Sequence, residues 1–463
     1  MEELKIQKED RDHIFLELTR SICPVCTETI DAQVLVKNRK VYMKKRCKQH
    51  GTFESLISSD AQRYVDAYKF NTPGTMPTKF GTEVVDGCPM DCGLCTDHQQ
   101  HSCLGIVEIT NACNLQCPTC FASSEGHDFL SIKEVDFMLD KFIEQEGDPE
   151  VIQFSGGEPT IHPNILEMLK LAKSKNINYV MLNTNGIRIS KDIEFVKKLA
   201  TLKPIIYLQF DGFTKETYET IRGADIFEAK MKAIENLEVN GIPIVLVATI
   251  QRNVNEHEIG KLVDFVMSRK AIRGMVFQPT FYAGRHPDFD PMDIVTLPEV
   301  VKDICIQSKS SFENNDFMPI PCCYPTCSSA CYVYANGDKI MPLARAVNLE
   351  DYIDFFQNKS IADFEKIRES LQRLSSFDCC SDSSNSNCCT IGNMTVDLKE
   401  IEDRLKMIVI QPFMDPFNFD VKKVMKCCIH EITPEGKIVP ICAFNNIPKY
   451  RQEVARYYKN RKG

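Results

Sequence analysis

Cys113-Asn-Leu-Gln-Cys117-Pro-Thr-Cys120 follows the apolar residues Ile106, Val107 and Ile109, and its reading governs the rest of the chain. Three cysteines in C-x3-C-x2-C spacing can hold three irons of a [4Fe–4S] cube and leave the fourth iron without a protein ligand. An open iron is a place for a small molecule. A strand directly before the loop puts it at the carboxyl end of a sheet, where α/β folds place their chemistry. The other reading of the same residues is a structural zinc knuckle. That would ask for four closed ligands and usually two C-x2-C pairs.

Apolar runs alternate with helical patterns on either side of this loop. Ser131-Ile-Lys-Glu134 has capping-box form, and Val135, Met138, Leu139, Phe142 and Ile143 follow at helical spacing. Strands are expected at Val151–Phe154, Tyr179–Leu182, Ile205–Phe210, Ile244–Ile250 and Met275–Gln278. Helices are expected between them, near Ile165–Ala172, Ile193–Ala200, Phe227–Leu237 and Ile259–Met267. Repeating βα units with β-branched strands imply a parallel sheet covered on its faces. Periodicity alone does not separate a barrel from an open doubly wound sheet.

Composition sets the class. A chain of 463 residues can bury a large core and hold two or three domains. No segment reaches transmembrane length, and Met1-Glu-Glu-Leu-Lys starts no secretory stretch, so a cytoplasmic protein is expected. Twenty-two cysteines in such a chain indicate metal ligation and not a disulfide framework. A net charge of −9 argues against nucleic acid as a partner, because that role relies on Lys and Arg.

The second to fifth expected strands each end in a polar motif. Ser155-Gly156-Gly157-Glu158-Pro159 follows the second strand, Asn183-Thr184-Asn185-Gly186 the third, and Gln209-Phe210-Asp211-Gly212 the fourth. Gln251-Arg252-Asn253 follows the fifth. With the three-cysteine loop and in this order, residues 105–285 resemble the radical S-adenosylmethionine (SAM) superfamily. The resemblance implies a partial (β/α)6 barrel, with Cys113, Cys117 and Cys120 on the catalytic cluster. It also implies SAM bound by Gly156, Gly157, Glu158, Asn183, Asn185, Gln209, Asp211 and Asn253.

Cysteines outside this core form three further groups. Cys23-Pro-Val-Cys26 with Cys47-Lys-Gln-His50 suits one tetrahedral ion, iron or zinc, in a small N-terminal module. A structural role is the favoured one, and His50 is the ligand a distant cysteine could replace. Cys88-Pro-Met-Asp-Cys92-Gly-Leu-Cys95 repeats the C-x3-C-x2-C spacing, with Cys103 as a fourth ligand of an auxiliary cluster. His98 and His101 read as surface residues or alternative ligands. A second auxiliary cluster is expected on Cys322, Cys327, Cys428 and Cys442, with Cys323 and Cys427 as the alternatives within each Cys-Cys pair. Cys305 and Cys331 read as small buried hydrophobes.

Gly87–Cys95, Cys113–Ala122, Pro321–Cys327 and Cys428-Ile-His through Cys442-Ala-Phe-Asn445 together resemble the archaeal tetraether lipid synthase family. Members of that family also carry the description of methyltransferases acting on a hydroxymethylpterin. The resemblance implies a transferase with SAM, one SAM-binding and two auxiliary [4Fe–4S] clusters, and one mononuclear iron or zinc. It implies a diether phospholipid substrate, whose terminal methyl carbons are joined, and an electron donor such as ferredoxin or flavodoxin. It divides the chain into 1–80 (rubredoxin- or zinc-ribbon-like module), 81–104 (auxiliary cluster), 105–285 (barrel) and 286–463 (auxiliary-cluster and substrate region). The Ser/Cys-rich stretch 378–389 departs from the pattern and reads as an insertion or an extra metal site. The basic, tyrosine-bearing tail Pro448–Lys462 reads either as a peripheral membrane contact or as a solvated terminal helix.

Overall fold

The computed structural model describes residues 11–122, 126–288, 290–337, 339–345, 388–391, 394–397 and 401–461. The stretch from 378 to 387 lies outside the described residues, while Cys388–Ile391 pairs with Met394–Asp397 as a two-stranded ribbon.

The N-terminal module is an antiparallel meander of β1 (Ile14–Ile22), β2 (Thr29–Lys37), β3 (Lys40–Cys47) and β4 (Gly51–Ser58). Alternation along β3 buries Val41, Met43, Lys45 and Cys47 and leaves the intervening residues at the surface or half-buried.

Six parallel strands then run as β5 (Leu104–Glu108), β6 (Val151–Ser155), β7 (Tyr179–Thr184), β8 (Ile205–Gln209), β9 (Ile244–Ile250) and β10 (Ile272–Pro279), in that order across the sheet. Each connection carries helix, which gives the partial (β/α)6 barrel. The capping box is present: the Ser131 hydroxyl accepts from the Glu134 N–H, and Glu134 accepts from the Ser131 N–H. Along the helix Ile132–Glu146, Val135, Met138, Leu139 and Phe142 are all fully buried against the sheet. Each such side chain contributes about 1.5–3 kcal/mol of burial.

Both edges of this sheet are extended by strands from far along the chain. Beyond β10 lies β16 (Leu405–Ile410), parallel to it, and then the antiparallel β12 (Ser329–Asn336) with β11 (Met318–Pro319) and β13 (Lys339–Pro342) on it. Beyond β5 lies β17 (Ile429–Ile432), also parallel, and then β18 (Ile438–Pro440). The C-terminal third of the chain is thus woven into the barrel sheet.

The terminal helix Pro448–Asn460 is not a free basic tail. Tyr450 is 1% exposed; its hydroxyl accepts from the Cys92 N–H at 2.9 Å and donates to the Pro89 carbonyl at 2.7 Å. Tyr458 is buried as well, and the Tyr457 hydroxyl donates to Glu134 at 2.7 Å. All three tyrosines therefore serve packing, the physical reason being the apolar groove beside the helix Ile132–Glu146 and the Cys88–Cys95 loop. We expect Tyr450→Ala to cost about 3–5 kcal/mol in chemical denaturation, the range for removing a buried aromatic ring. Tyr450→Phe, which keeps the ring, is expected to cost about 1 kcal/mol. No helix among the described residues is long and apolar enough to cross a membrane.

Candidate active site

The three-cysteine loop leaves β5 at its carboxyl end, as its spacing predicts. Cys117 is buried, and Cys113 and Cys120 are partly so. Burial pushes the Cys113 thiol up to about 11. The set offers three thiols from one short loop, the donor chemistry of a cluster with one open iron, so it fits the cofactor the motif implies.

Two other segments hold this loop. The Gly156-Gly157-Glu158 turn lies flat against it: Gly157 N–H donates to the Thr110 carbonyl and Glu158 N–H to the Ala112 carbonyl, each at 2.8 Å. A Cβ on Gly156 would stand 2.2 Å from the Thr110 oxygen, and one on Gly157 would stand 2.0 Å from that of Ala112. Both positions therefore require glycine. Cys120 and Arg285 exchange two backbone hydrogen bonds of 2.8 Å, which ties the loop to the segment after β10. Gly157→Ala is expected to lift the turn off the cysteine loop and weaken SAM binding by about tenfold or more, measured by equilibrium dialysis.

Beneath the loop is a buried polar layer. Glu158 is 1% exposed and its carboxylate accepts from the Thr184 hydroxyl (2.7 Å), the Thr160 N–H (3.0 Å) and the Asn185 N–H (2.7 Å). Asn185 in turn donates through its side chain to Asn114 at 2.7 Å, inside the cysteine loop. Asn183 donates to Ser155 at 3.1 Å, and its own amide oxygen is buried without a partner. Gln209 ends β8, half-buried.

Asp211 is fully buried and grips Arg222 through two bonds of 2.7 Å. Burial lowers the Arg222 affinity for its proton, and Asp211 more than offsets it, so the guanidinium is held raised. Burial likewise raises Cys117, while Arg222 beside it pulls the other way. Lys230, fully buried, donates to the Asn185 carbonyl, and burial pushes it down to about 7. Motif reading missed Arg222, Lys230 and Arg285, since each lies away from the strand-end motifs and is brought in only by the fold. Asn253 sits exposed in a left-handed turn (φ 60°). The neighbouring Asn255 is the buried one, and it donates to the Asp211 and Thr249 carbonyls at 2.8 Å.

Phe121, directly after Cys120, meets Phe281 at 5.8 Å and Phe413 at 6.4 Å between ring centroids. Phe413 lines a cavity of about 770 Å³ that extends past Met407, Val409 and Met414 to six cysteines: Cys322, Cys323, Cys327, Cys427, Cys428 and Cys442. The loop, through Phe121 and Phe413, thus borders a cavity that the accessory thiols also line.

The accessory cysteines are regrouped by the fold. Cys103, expected beside Cys88, Cys92 and Cys95, is brought instead to Cys322 and Cys428, with the three sulfurs within 4.8 Å of one another. The reason is topological: Cys103 precedes β5, Cys428 precedes β17, and those strands are neighbours. Cys327 faces Cys323, and Cys442 is the thiol that most influences Cys427 after burial itself. Cys88, Cys92 and Cys95 are all buried in their own loop. His98 is buried too, not at the surface: its ring packs 4.9 Å from that of His430, and the two Nε2 atoms are 3.1 Å apart. Cys331 lies in the core and Cys305 packs against it.

In the N-terminal module, Cys23, Cys26, Cys47 and His50 place their donor atoms within 4.8 Å. His50 Nδ1 is 3.6 Å from the Cys23 sulfur and 3.5 Å from that of Cys47. A tetrahedral ion with bonds of about 2.0–2.3 Å needs donors about 3.5–3.8 Å apart, so the set fits one.

Several known proteins are similar to this chain. The radical SAM superfamily matches residues 107–266, and the HMPTM N-terminal zinc ribbon domain matches residues 15–59. The 7,8-dihydro-6-hydroxymethylpterin dimethyltransferase of Methanocaldococcus jannaschii is 32% identical over 94% of both chains. The Fe-coproporphyrin III synthase of Methanosarcina barkeri is 33% identical over 39% of this chain and 44% of its own. Among solved structures, Streptococcus suis SuiB bound to S-adenosylmethionine is similar over 43% of this chain and 44% of its own, at 19% identity and a TM-score of 0.35.

Proposed function

We propose that this chain, which belongs to the radical SAM superfamily and to the family of the Methanocaldococcus jannaschii 7,8-dihydro-6-hydroxymethylpterin dimethyltransferase, forms carbon–carbon bonds at carbons that carry no activating group. The single observation that carries the reading is the cavity running from Phe413, beside the SAM-type loop, to the accessory thiols. A cluster held by Cys113, Cys117 and Cys120, with SAM bound beside it, would supply the one-electron radical chemistry needed to remove hydrogen from such a carbon. The electron comes from an external one-electron donor of the ferredoxin or flavodoxin class.

The chain's own residues supply position and shelter. Cys113, Cys117 and Cys120 would hold the cluster, and the Gly156-Gly157 turn shapes the wall next to it. Gln209 ends β8, and Asp211 just beyond it is fully buried and paired with Arg222. Phe121, Phe281 and Phe413 keep water from the passage toward the cavity, where a radical needs a dry, closed environment.

The relative's name supports a hydroxymethylpterin that receives methyl groups as the substrate. A second reading has an observation of its own. The cavity is walled by Met43, Ile57, Phe317, Ile320, Val409 and Met414, which suits an isoprenoid chain of a diether lipid joined to another at its methyl end. One experiment separates the two. Anaerobically reconstituted protein is given SAM, a strong reductant and either substrate, and the products are read by mass spectrometry. A pterin heavier by methyl groups establishes the first reading. Coupled lipid that has lost hydrogen, with matching deoxyadenosine, establishes the second. Deoxyadenosine with both substrates unchanged overturns both.

A further inference from the structure

We propose that Glu431, Glu108 and Arg451 form a recognition site for the lactam edge of a pterin, where a ring N–H stands beside a ring carbonyl. The proposal rests on the pterin reading of the function and deepens it, because it assigns residues to the ring. Three observations carry it.

First, a buried group at this place is left half satisfied. Glu431 is 2% exposed, and its Oε1 accepts from the Glu108 N–H at 3.2 Å. Its Oε2 is buried and has no hydrogen bond among the described residues. Leaving a buried polar atom unpaired is costly, and a ligand atom that pairs with it removes that cost. The gap has a local cause. β17 stays in register with β5 only as far as Glu431 opposite Ile106, so a side chain and not a strand carbonyl meets the Glu108 N–H.

Second, both carboxyl groups lie on the interior face of the sheet. A Cβ on Gly105 would meet Phe142, and Val107 shares the core with Phe142, so these positions face the helix Ile132–Glu146. Leu104, Ile106 and Glu108 therefore face the opposite way, into the barrel. Leu104 and its partner Ile429 both line the cavity of about 770 Å³. Glu108 and Glu431 continue those two rows toward the carboxyl ends of the strands, and Glu108 closes β5 directly before the cysteine loop.

Third, the neighbours give the two carboxyl groups opposite roles. Arg451 Nη1 lies 3.5 Å from Glu108 Oε2, its Nη2 donates to Asn445 at 2.6 Å, and the guanidinium sits 4.6 Å over the Phe444 ring. Asn445 ends the Cys442-Ala-Phe-Asn445 motif, which cysteine chemistry alone leaves without a role. Burial, and then the Glu108 carboxylate, raise Glu431 well above the usual carboxylate range, so Glu431 is the neutral, donating partner. Glu108, facing the Arg451 guanidinium, is the acceptor. A donor beside an acceptor matches a ring carbonyl beside a ring N–H, and the methyl end of an isoprenoid offers nothing to either.

The test measures binding of 7,8-dihydro-6-hydroxymethylpterin by equilibrium dialysis. The full chain is purified without oxygen, and neither SAM nor reductant is added. Glu431→Gln keeps an oxygen for the Glu108 N–H and gains an N–H for the ligand, so it is expected to bind within about threefold of the intact protein. Glu431→Met, of similar size with neither group, is expected to bind about tenfold or more weakly. A pterin methylated on the lactam nitrogen keeps the test decisive if the methionine variant does not fold. The intact protein is expected to bind that analogue about tenfold or more weakly than the parent. Equal binding of the two pterins, or by the two variants, overturns the site and leaves the pterin as substrate. Absence of pterin binding by the intact protein overturns the pterin reading and the site with it.

Discussion

Cys117→Ala is expected to abolish formation of 5′-deoxyadenosine from SAM and to remove about four irons per chain, while the remaining metals stay in place. The expectation rests on two features. Cys117 is the buried member of the three, set against Arg222, and the two thiols left behind cannot keep a cube. The accessory cysteines stand in other loops with their own partners. The companion Cys88→Ala sharpens the result, because Cys88, Cys92 and Cys95 repeat the same spacing. That variant is expected to keep SAM cleavage. The reverse outcome, cleavage lost in Cys88→Ala and kept in Cys117→Ala, would move the SAM site to the first motif. Both are read by chromatography of the nucleoside and by iron analysis under strong reductant.

Asp211→Asn is expected to destabilise the protein by about 3–5 kcal/mol, because it leaves the Arg222 guanidinium charged, buried and without its counter-ion. Asp211 is fully buried and Arg222 is 7% exposed, so water can screen neither. The pair cannot relax outward either, since Thr249 N–H donates to the same carboxylate at 2.9 Å and holds it against β9. Removing both charges in Asp211→Asn/Arg222→Met is expected to recover most of the loss. An apolar replacement of a buried pair is often neutral, whereas half a pair is not. Denaturation curves of the two variants decide the matter; equal losses would show that the stranded guanidinium is not what destabilises Asp211→Asn.

The parts legible in the sequence are those with a local signature. The cysteine loop, the capping box at Ser131 and the βα alternation from Val151 to Gln278 all rest on spacing within a few residues, and the structure carries each. The glycines of the turn were legible as a motif, though their reason is the backbone of Thr110 and Ala112 pressed against them. What could not be read is long-range pairing. Nothing near Leu405–Ile410 or Ile429–Ile432 says that these strands join opposite edges of one sheet. The misplacement of Cys103 follows directly, because its neighbours are set by β17 and not by its distance from Cys95. The same cause hid the burial of Tyr450 and Tyr458: a basic helix of low hydrophobicity gives no hint of which face meets the barrel. Asn253 and Asn255 differ only in which one the turn points inward.

The mutual hydrogen bonds of Cys120 and Arg285 set an order of events during synthesis. The cysteine loop is translated long before the segment that braces it, and that segment follows the sixth strand of the barrel. Until Arg285 emerges from the ribosome and β10 docks, Cys120 lacks its brace and the loop keeps alternative shapes. A loop shaped by this brace therefore exists only once Arg285 has emerged and β10 has docked, well after the three cysteines themselves are made. A chain truncated before Arg285 would present the full motif yet be a poor customer for the machinery that delivers iron and sulfide.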